Sequence, residues 1–229
     1  MRIVFATILS VGLLSGICFA GENPELKDQK DKESYSLGYQ FGGSLKSQGV
    51  DINLDVYTSG IRDAISGKTP QMTQEEIRAA VQGLQQRLAL ARHETLKVQA
   101  EKNLAEGKAF LAENGKKGEV KALPSGLQYK VLSEGAGKTP KKDDTVTVHY
   151  RGTLIDGREF DSSIAKGQPA SFKVGGVIPG WTEALQLMKE GAKWQLFIPA
   201  ELAYKERGMP PRIAPNSPLI FEVELISVN

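Results

Sequence analysis

The sequence is poor in cysteine and histidine, and these two shortages exclude several kinds of chemistry. Cys18 is the only cysteine, and His93 and His149 are the only histidines among 229 residues. A disulfide framework, thiol catalysis and a cysteine-bound metal all need cysteines that this chain lacks beyond its N-terminal apolar run. Neither histidine has sequence neighbours that would make it a metal ligand or a general base. The expectation is therefore a protein without metal or cofactor.

Charge of one sign and the usual enzyme motifs are also missing. Lys and Arg number 29 against 27 Asp and Glu, a net charge of +2, and no basic run is present. Nucleic acid is therefore not expected as a partner. The chain has no Gly-x-Ser-x-Gly motif, no phosphate-binding glycine loop and no His-Glu-x-x-His. A hydrophobic content of 40% and a charged content of 24% are typical of a globular protein with a real core.

The N-terminal 20 residues have the pattern of a signal peptide. Arg2 is followed by an apolar run from residue 3 to 17, and Cys18-Phe19-Ala20 offers small residues at the cleavage positions. Cleavage after Ala20 predicts an exported chain without a membrane span. The periplasm is the preferred location, and the outer membrane and the extracellular space are the alternatives. Two other interpretations are a lipoprotein acylated at Cys18, disfavoured by the bulky Ile17, and a retained anchor, for which the run is short.

Residues 21–72 predict an all-α N-terminal domain. Leu37, Phe41 and Leu45 recur every fourth residue, which predicts one short helix. Asn53 is a suitable N-cap for a second helix, and Gly67 is a suitable stop. Two short helices cannot bury their apolar faces alone. We therefore predict that this segment forms a homodimer.

Residues 73–115 predict one long connecting helix. Thr73 and Glu76 have capping-box spacing at its start. Apolar residues then follow the alternating three- and four-residue spacing of a coiled-coil seam as far as Val98. The seam fades near Glu101, which predicts a packed first half and a bare second half that acts as a spacer. The alternative is ordinary packing of this helix on the C-terminal domain.

Residues 116–229 predict an α+β domain, an antiparallel sheet wrapped around one short helix. Alternating apolar residues predict strands around 146–150, 172–174, 194–198 and 219–225. The helix is predicted from Pro179 to Met188, because proline suits the first helical position. Trp181 then lies in the first turn, next to the backbone N–H of Ile178. The indole is either core or the floor of a site for a small apolar ligand with a carbonyl group.

Several ordered motifs in this domain carry a family resemblance. They are Val-His-Tyr-Arg-Gly-Thr-Leu from residue 148, Gly-Arg-Glu-Phe-Asp-Ser-Ser from residue 157 and Val-Ile-Pro-Gly-Trp from residue 177. From about Leu123 to Val228 the chain resembles the FKBP family of peptidyl-prolyl cis/trans isomerases. The helices before it extend the likeness to the bacterial macrophage infectivity potentiator type, in which two chains dimerise through the N-terminal domain.

The resemblance implies a proline pocket that acts on proline-containing polypeptides, with macrolides of the rapamycin type as inhibitors. The matching positions imply roles for two sets of residues. The catalytic set is Tyr150, Asp161, Tyr204 and the backbone N–H of Ile178, and the substrate-binding set is Phe160, Phe172, Val177, Trp181, Met209, Ile213 and Phe221. Ala170, Lys205 and the flap tip 209–212 depart from the family pattern.

Two functions from different classes follow. The first is an isomerase that helps exported proteins to fold by stabilising a twisted Xaa-Pro amide without covalent chemistry. The second is a non-enzymatic chaperone that holds unfolded chains in the cleft between the two subunits of the predicted dimer. A third, a host-directed surface factor, rests on the family likeness alone.

Overall fold

The described part of the chain comprises residues 25–229 of a computed structural model and divides into two compact units. One unit ends at Thr73, and the other is Gln74–Asn229. The predicted signal peptide and its cleavage site lie outside the described residues. Between residues 25 and 229, no helix has the length and apolar character needed to cross a membrane.

The first unit contains two helices, α1 (Gln29–Ser47) and α2 (Leu54–Ile65). The side chain of Asn53 accepts hydrogen bonds from the backbone N–H groups of Asp55 and Val56 in the first turn of α2, so the predicted N-cap is confirmed. Gly67 adopts a φ of +68° just after the helix, in keeping with its predicted role as a stop. Neither helix has a buried residue. This unit therefore has no apolar core of its own among the described residues.

The second unit begins with α3 (Gln74–Asn114), a helix of 41 residues. The part of the helix up to Val98 exposes apolar side chains of the predicted seam, with Val81 48% and Val98 57% exposed, and it also exposes Leu90. Its second half contacts the sheet domain along a stripe with three- and four-residue spacing. The stripe consists of Asn103, Leu104, Gly107, Phe110, Leu111 and Asn114, which are buried or half-buried.

The prediction that the second half of α3 is a bare spacer is wrong. The amide of Asn114 donates to Oε1 of Gln128 at 2.9 Å, and the Gln128 amide donates back to the carbonyl of Leu111 at 2.8 Å. The rings of Phe110 and Phe197 lie 6.1 Å apart. The downstream half of the helix is therefore part of the C-terminal unit, as in the alternative interpretation.

Seven strands form one antiparallel sheet. They are β1 (Lys121–Ala122), β2 (Gln128–Ser133), β3 (Thr145–Leu154), β4 (Glu159–Ser162), β5 (Ala170–Lys173), β6 (Lys193–Ile198) and β7 (Leu219–Val228). Their order is β1-β2-β6-β7-β3-β4, and β5 also pairs with β3. The strands β3 and β7 pair over nearly their whole length, from Val146 opposite Val228 to Leu154 opposite Leu219.

One short helix, α4 (Pro179–Leu185), packs against the sheet. Proline is at its first position, as predicted, but the helix ends three residues before Met188, which is nevertheless fully buried. A methyl group on Gly180 would lie 2.5 Å from Cγ2 of Ile198, so glycine permits the close approach of α4 to β6. Val174 belongs to a 3₁₀ turn and not to β5 as predicted.

The predicted α+β class is confirmed. The core lies between α4 and the sheet, where alternate residues of β3, β6 and β7 point inward, including the fully buried Val148, Leu196 and Val223. Three strands were not predicted: β1 with two residues, β2 with six and β4 with four. None of them carries a long alternating pattern.

Candidate active site

A cavity of about 490 Å³ opens on the face of the sheet beside α4. Its walls come from β3, β4, β5, α4, β7 and the loop after β6. The lining residues are Tyr150, Phe160, Asp161, Phe172, Gly176, Val177, Ile178, Trp181, Tyr204, Met209 and Phe221. Ten of the eleven residues singled out in the sequence therefore surround one space.

Trp181 forms the floor of this cavity. Its indole is only 4% exposed, and three rings contact it at nearly right angles. The ring centroids of Tyr150, Phe172 and Phe221 lie 5.4, 5.9 and 5.2 Å from it. Edge-to-face contacts of this kind hold aromatic rings in fixed orientations. Trp181 is thus a core residue and a lining residue at once, so the two interpretations of its role are compatible.

A glycine on β3 makes the aromatic wall possible. The rings of Phe160 and Phe221 meet edge to face, with centroids 5.5 Å apart, beside Gly152. A Cβ atom on Gly152 would lie 2.7 Å from atoms of both rings. Any larger residue would push the two rings apart. Gly152 lies in one of the sequence motifs, but no role was predicted for it, because the close approach involves residues distant in the chain.

Asp161 provides the negative charge at the edge of the cavity. The hydroxyl of Tyr150 donates to its Oδ2 at 2.6 Å, and Nζ of Lys166 lies 2.5 Å from its Oδ1. The backbone N–H of Ser162 also donates to Oδ1, at 3.0 Å. Both carboxylate oxygens are therefore engaged, which fixes the orientation of the side chain. Lys166 was not singled out in the sequence, and no local signal links it to a residue five positions away in a turn.

The electrostatic environment keeps Asp161 charged and its neighbours protonated. Burial opposes ionisation of Asp161, but the hydrogen bonds from Lys166 and Tyr150 outweigh it and lower the pKa of this carboxyl. Burial and the bond to Asp161 raise the pKa of Tyr150. Burial and the charge of Asp161 likewise raise the pKa of Tyr204. Both phenols can therefore donate hydrogen bonds at neutral pH.

The remaining polar group is the backbone N–H of Ile178, the residue before α4. In the part of the chain that the structure describes, this N–H donates to no backbone carbonyl. Its position at a helix N-terminus favours an incoming oxygen acceptor. Val177 and Gly176 continue the lining on this side, and Gly176 was not singled out in the sequence.

The flap, defined here as residues 204–217, closes the opposite side. Tyr204 and Met209 line the cavity. Ile213 does not. It is 1% exposed and belongs to the core, and its backbone pairs with Met209 through hydrogen bonds of 2.8 and 3.0 Å. Ile213 is therefore a flap residue whose side chain is buried in the core and does not line the cavity. No group of three or more potential metal-ligating side chains occurs within residues 25–229.

This fold and this pocket define a class of protein, and two family models match the chain. Residues 136–226 match the FKBP-type peptidyl-prolyl cis-trans isomerases. Residues 30–131 match the domain amino terminal to FKBP-type peptidyl-prolyl isomerases. The chain belongs to the FKBP-type peptidyl-prolyl cis-trans isomerase family, and the isomerase activity predicted from the sequence is thereby supported.

Relatives that align with the whole chain show which type of FKBP it resembles. "Outer membrane protein MIP" of Legionella longbeachae is 46% identical over 228 residues, covering 100% of this chain and 97% of the relative. "Peptidyl-prolyl cis-trans isomerase Mip" of Coxiella burnetii is 43% identical over 228 residues, covering 100% of this chain and 99% of the relative. The crystal structure of FkpA from Escherichia coli superimposes with a TM-score of 0.72 at 40% identity, over 90% of this chain and 99% of that one. The predicted resemblance to the macrophage infectivity potentiator type is confirmed.

Proposed function

We propose that this cavity binds the proline ring of an Xaa-Pro segment and accelerates rotation about the preceding amide. The observation that supports this most directly is the Trp181 floor, held edge-on by three other rings. Such a surface suits a small, rigid, apolar ring. The neighbouring Ile178 N–H lies where a substrate carbonyl can accept its hydrogen bond.

The proposed mechanism needs no covalent step. An Xaa-Pro amide resists rotation because resonance makes its C–N bond partly double, with a barrier of about 18–20 kcal/mol. Twisting the bond removes this resonance and the large dipole of the planar amide. The mostly apolar cavity therefore stabilises the twisted amide relative to the planar amide in water, which is preferential binding of the transition state.

The polar groups have separate proposed tasks. The N–H of Ile178 orients the substrate by holding a carbonyl oxygen. The hydroxyl of Tyr204 offers a second donor, since its raised pKa keeps it protonated. The charge of Asp161 at the cavity edge interacts with the amide as its dipole changes. Its bonds to Tyr150 and Lys166 hold it in place while this occurs.

The decisive experiment is isomerisation of a short Xaa-Pro peptide by the purified chain, with and without rapamycin as a competitor. Exchange NMR would report the rate without a coupling protease. We expect catalysis that rapamycin suppresses, together with chemical-shift changes of the Trp181 indole N–H when rapamycin binds. Catalysis that is insensitive to rapamycin, with an unperturbed Trp181, would place the active site elsewhere.

We further propose that the first unit mediates homodimerisation. Large apolar side chains on α1 and α2 are exposed within this chain, among them Leu37 at 57%, Phe41 at 61% and Ile65 at 83%. Together they form a surface too apolar for a small domain to leave in water. A second copy of the same surface covers it with matching chemistry, as in the commonest symmetric dimers.

Export is the third proposal. It rests on the signal-peptide pattern of residues 1–20 and on the similarity to a relative named as an outer membrane protein. Cell fractionation, followed by N-terminal sequencing of the mature chain, would test it. We expect a periplasmic protein whose first residue is Gly21. A mature chain that begins at Cys18 would indicate the lipoprotein alternative.

A further inference from the structure

The flap is a closed loop whose two ends are tied together. The N–H of Asn216 donates to the carbonyl of Lys205 at 2.8 Å, and the N–H of Gly208 donates to the carbonyl of Tyr204 at 3.1 Å. Ser217 also donates its hydroxyl to Ala214 at 2.8 Å. The bond from Asn216 therefore ties residues 215–217 to Lys205, the residue next to Tyr204, which lines the cavity.

The returning end of the flap is held by α3. The amide of Asn103 donates to the carbonyl of Pro215 at 2.7 Å and approaches Oγ of Ser217 at 3.3 Å. The side chain of Gln99 donates to Oδ1 of Asn103 at 2.7 Å, which orients that amide. A longer contact of 3.5 Å joins the side chain of Asn216 to the carbonyl of Ala100.

Close packing fixes the position of the helix against the same segment. Gly107, one turn after Asn103, is buried against Pro218. A Cβ atom at Gly107 would lie 3.0 Å from Cγ of Pro218. The helix and the residues that follow the flap are thus in van der Waals contact, and neither can slide without disturbing the other.

We propose that Asn103 is a positioning residue for the active site, acting through the flap on Tyr204 and Met209. The proposal rests on the proposed role of the cavity. In this arrangement the long helix does more than connect the two units. Its downstream half, which lies outside the proline pocket, fixes the positions of Tyr204 and Met209 in the pocket wall.

A simpler explanation is that Asn103 only stabilises the fold, and the chain contains a matched control for it. Asn114 is on the same helix and also donates its amide to the sheet domain, at 2.9 Å to Gln128. Its partner belongs to β2, from which none of the cavity-lining residues of the described chain comes. Asn103→Leu and Asn114→Leu both remove an interface hydrogen bond, but only the first removes one from the flap.

The experiment compares these two variants in the full-length chain by kinetics and by NMR. We expect Asn103→Leu to lower kcat/KM for a short Xaa-Pro peptide about fivefold, the equivalent of one hydrogen bond of about 1 kcal/mol. Asn114→Leu should keep kcat/KM within about twofold of wild type while losing at least as much stability to urea. With methyl-labelled methionine, Met209 should shift in Asn103→Leu only, and the core residue Met188 should shift in neither.

The opposite result is equally clear. If Met209 keeps its wild-type resonance in Asn103→Leu, or if both variants lose activity in proportion to stability, the proposal is wrong. Should Asn103→Leu fail to fold, Gln99→Ala removes the bond that orients the Asn103 amide, and it should shift Met209 and leave Met188 unchanged. An inactive wild-type chain would refute the proposed function instead, and the Met209 resonance would still decide the coupling.

Discussion

The fold keeps the carboxylate of Asp161 charged at the edge of an apolar cavity. The contribution of this charge to catalysis can be measured separately from that of the side chain's size. Asp161→Asn preserves size and removes the charge. We expect kcat/KM for an Xaa-Pro peptide to fall about tenfold, or about 1.4 kcal/mol of transition-state stabilisation, with the fold retained by circular dichroism. The control is Asp156→Asn, a carboxylate in an exposed turn, which should leave the rate unchanged. Equal rates in both variants would contradict the role of Asp161.

The hydroxyl of Tyr150, after the amine of Lys166, helps to determine the pH at which that charge is lost. The bond from Tyr150 helps to lower the pKa of Asp161, so Tyr150→Phe should raise it. The fold stabilises the charged form of Asp161. Its contribution to folding stability is therefore complete above the unfolded pKa of about 3.9, and it is lost as the pH falls through the lower pKa of the folded state. In exchange NMR between pH 3 and 7, the acid limb of kcat/KM should therefore move to higher pH in Tyr150→Phe. An unmoved limb would assign it to another group.

Lys205 adopts a backbone conformation that suits glycine. Its φ is +52°, in the left-handed region, where a side chain costs about 1–2 kcal/mol. Lys205→Gly should therefore raise the free energy of unfolding by about 0.5–1 kcal/mol, less than the full strain because glycine also gains freedom in the unfolded chain. Lys205→Ala keeps the strain and serves as the control. Urea denaturation of the two variants would measure the difference, and a destabilised glycine variant would contradict it.

At this scale the sequence was informative wherever a motif placed a residue on the cavity. Tyr150, Asp161 and Trp181 were all found in this way. Gly152 and Lys166 were not assigned a role, because their importance lies in contacts between separate strands and turns. The rings beside Gly152 fit only because glycine has no Cβ atom, and the amine of Lys166 reaches Asp161 across a turn. Neither contact produces a pattern in the sequence.

Among the elements, α3 gives the clearest test. If its second half packs on the sheet, Phe110→Ala should lower the free energy of unfolding by about 1–3 kcal/mol, somewhat less than for a fully buried phenylalanine. Leu90→Ala, at a side chain 70% exposed on the same helix, should cost less than about 0.5 kcal/mol. Chemical denaturation of the full-length chain measures both. A bare spacer would show no difference between them.

The packing of α3 was mispredicted for a physical reason. A hydrophobic pattern reveals a contact surface only when apolar residues form it. The stripe that faces the sheet consists partly of Asn103, Gly107 and Asn114, which contribute amide hydrogen bonds and close approach instead of apolar area. The strands β3, β6 and β7, in contrast, were predicted correctly because their inward residues alternate strictly.

For the whole molecule, the proposed dimer predicts that assembly and catalysis separate. Leu37→Glu combined with Phe41→Glu places two charges on the exposed apolar face of α1, and burying them in an interface is costly. Sedimentation should show a monomer, with kcat/KM for a short peptide within about twofold of wild type, because the cavity lies wholly within Gln74–Asn229. Lys46→Glu, which makes the same change in net charge about 180° around α1 from Leu37, is the matched control. Unchanged sedimentation of the first variant would refute this interface.

The position of β7 in the sheet has a consequence for biosynthesis. This strand lies between β6 and β3, so without it the sheet consists of two separate pieces. Its partner β3 precedes it in the chain by more than 60 residues. The domain therefore cannot close its core until residues 219–228 have been made and have reached the compartment in which the chain folds. The last strand of the sheet in chain order therefore completes the core of the isomerase domain.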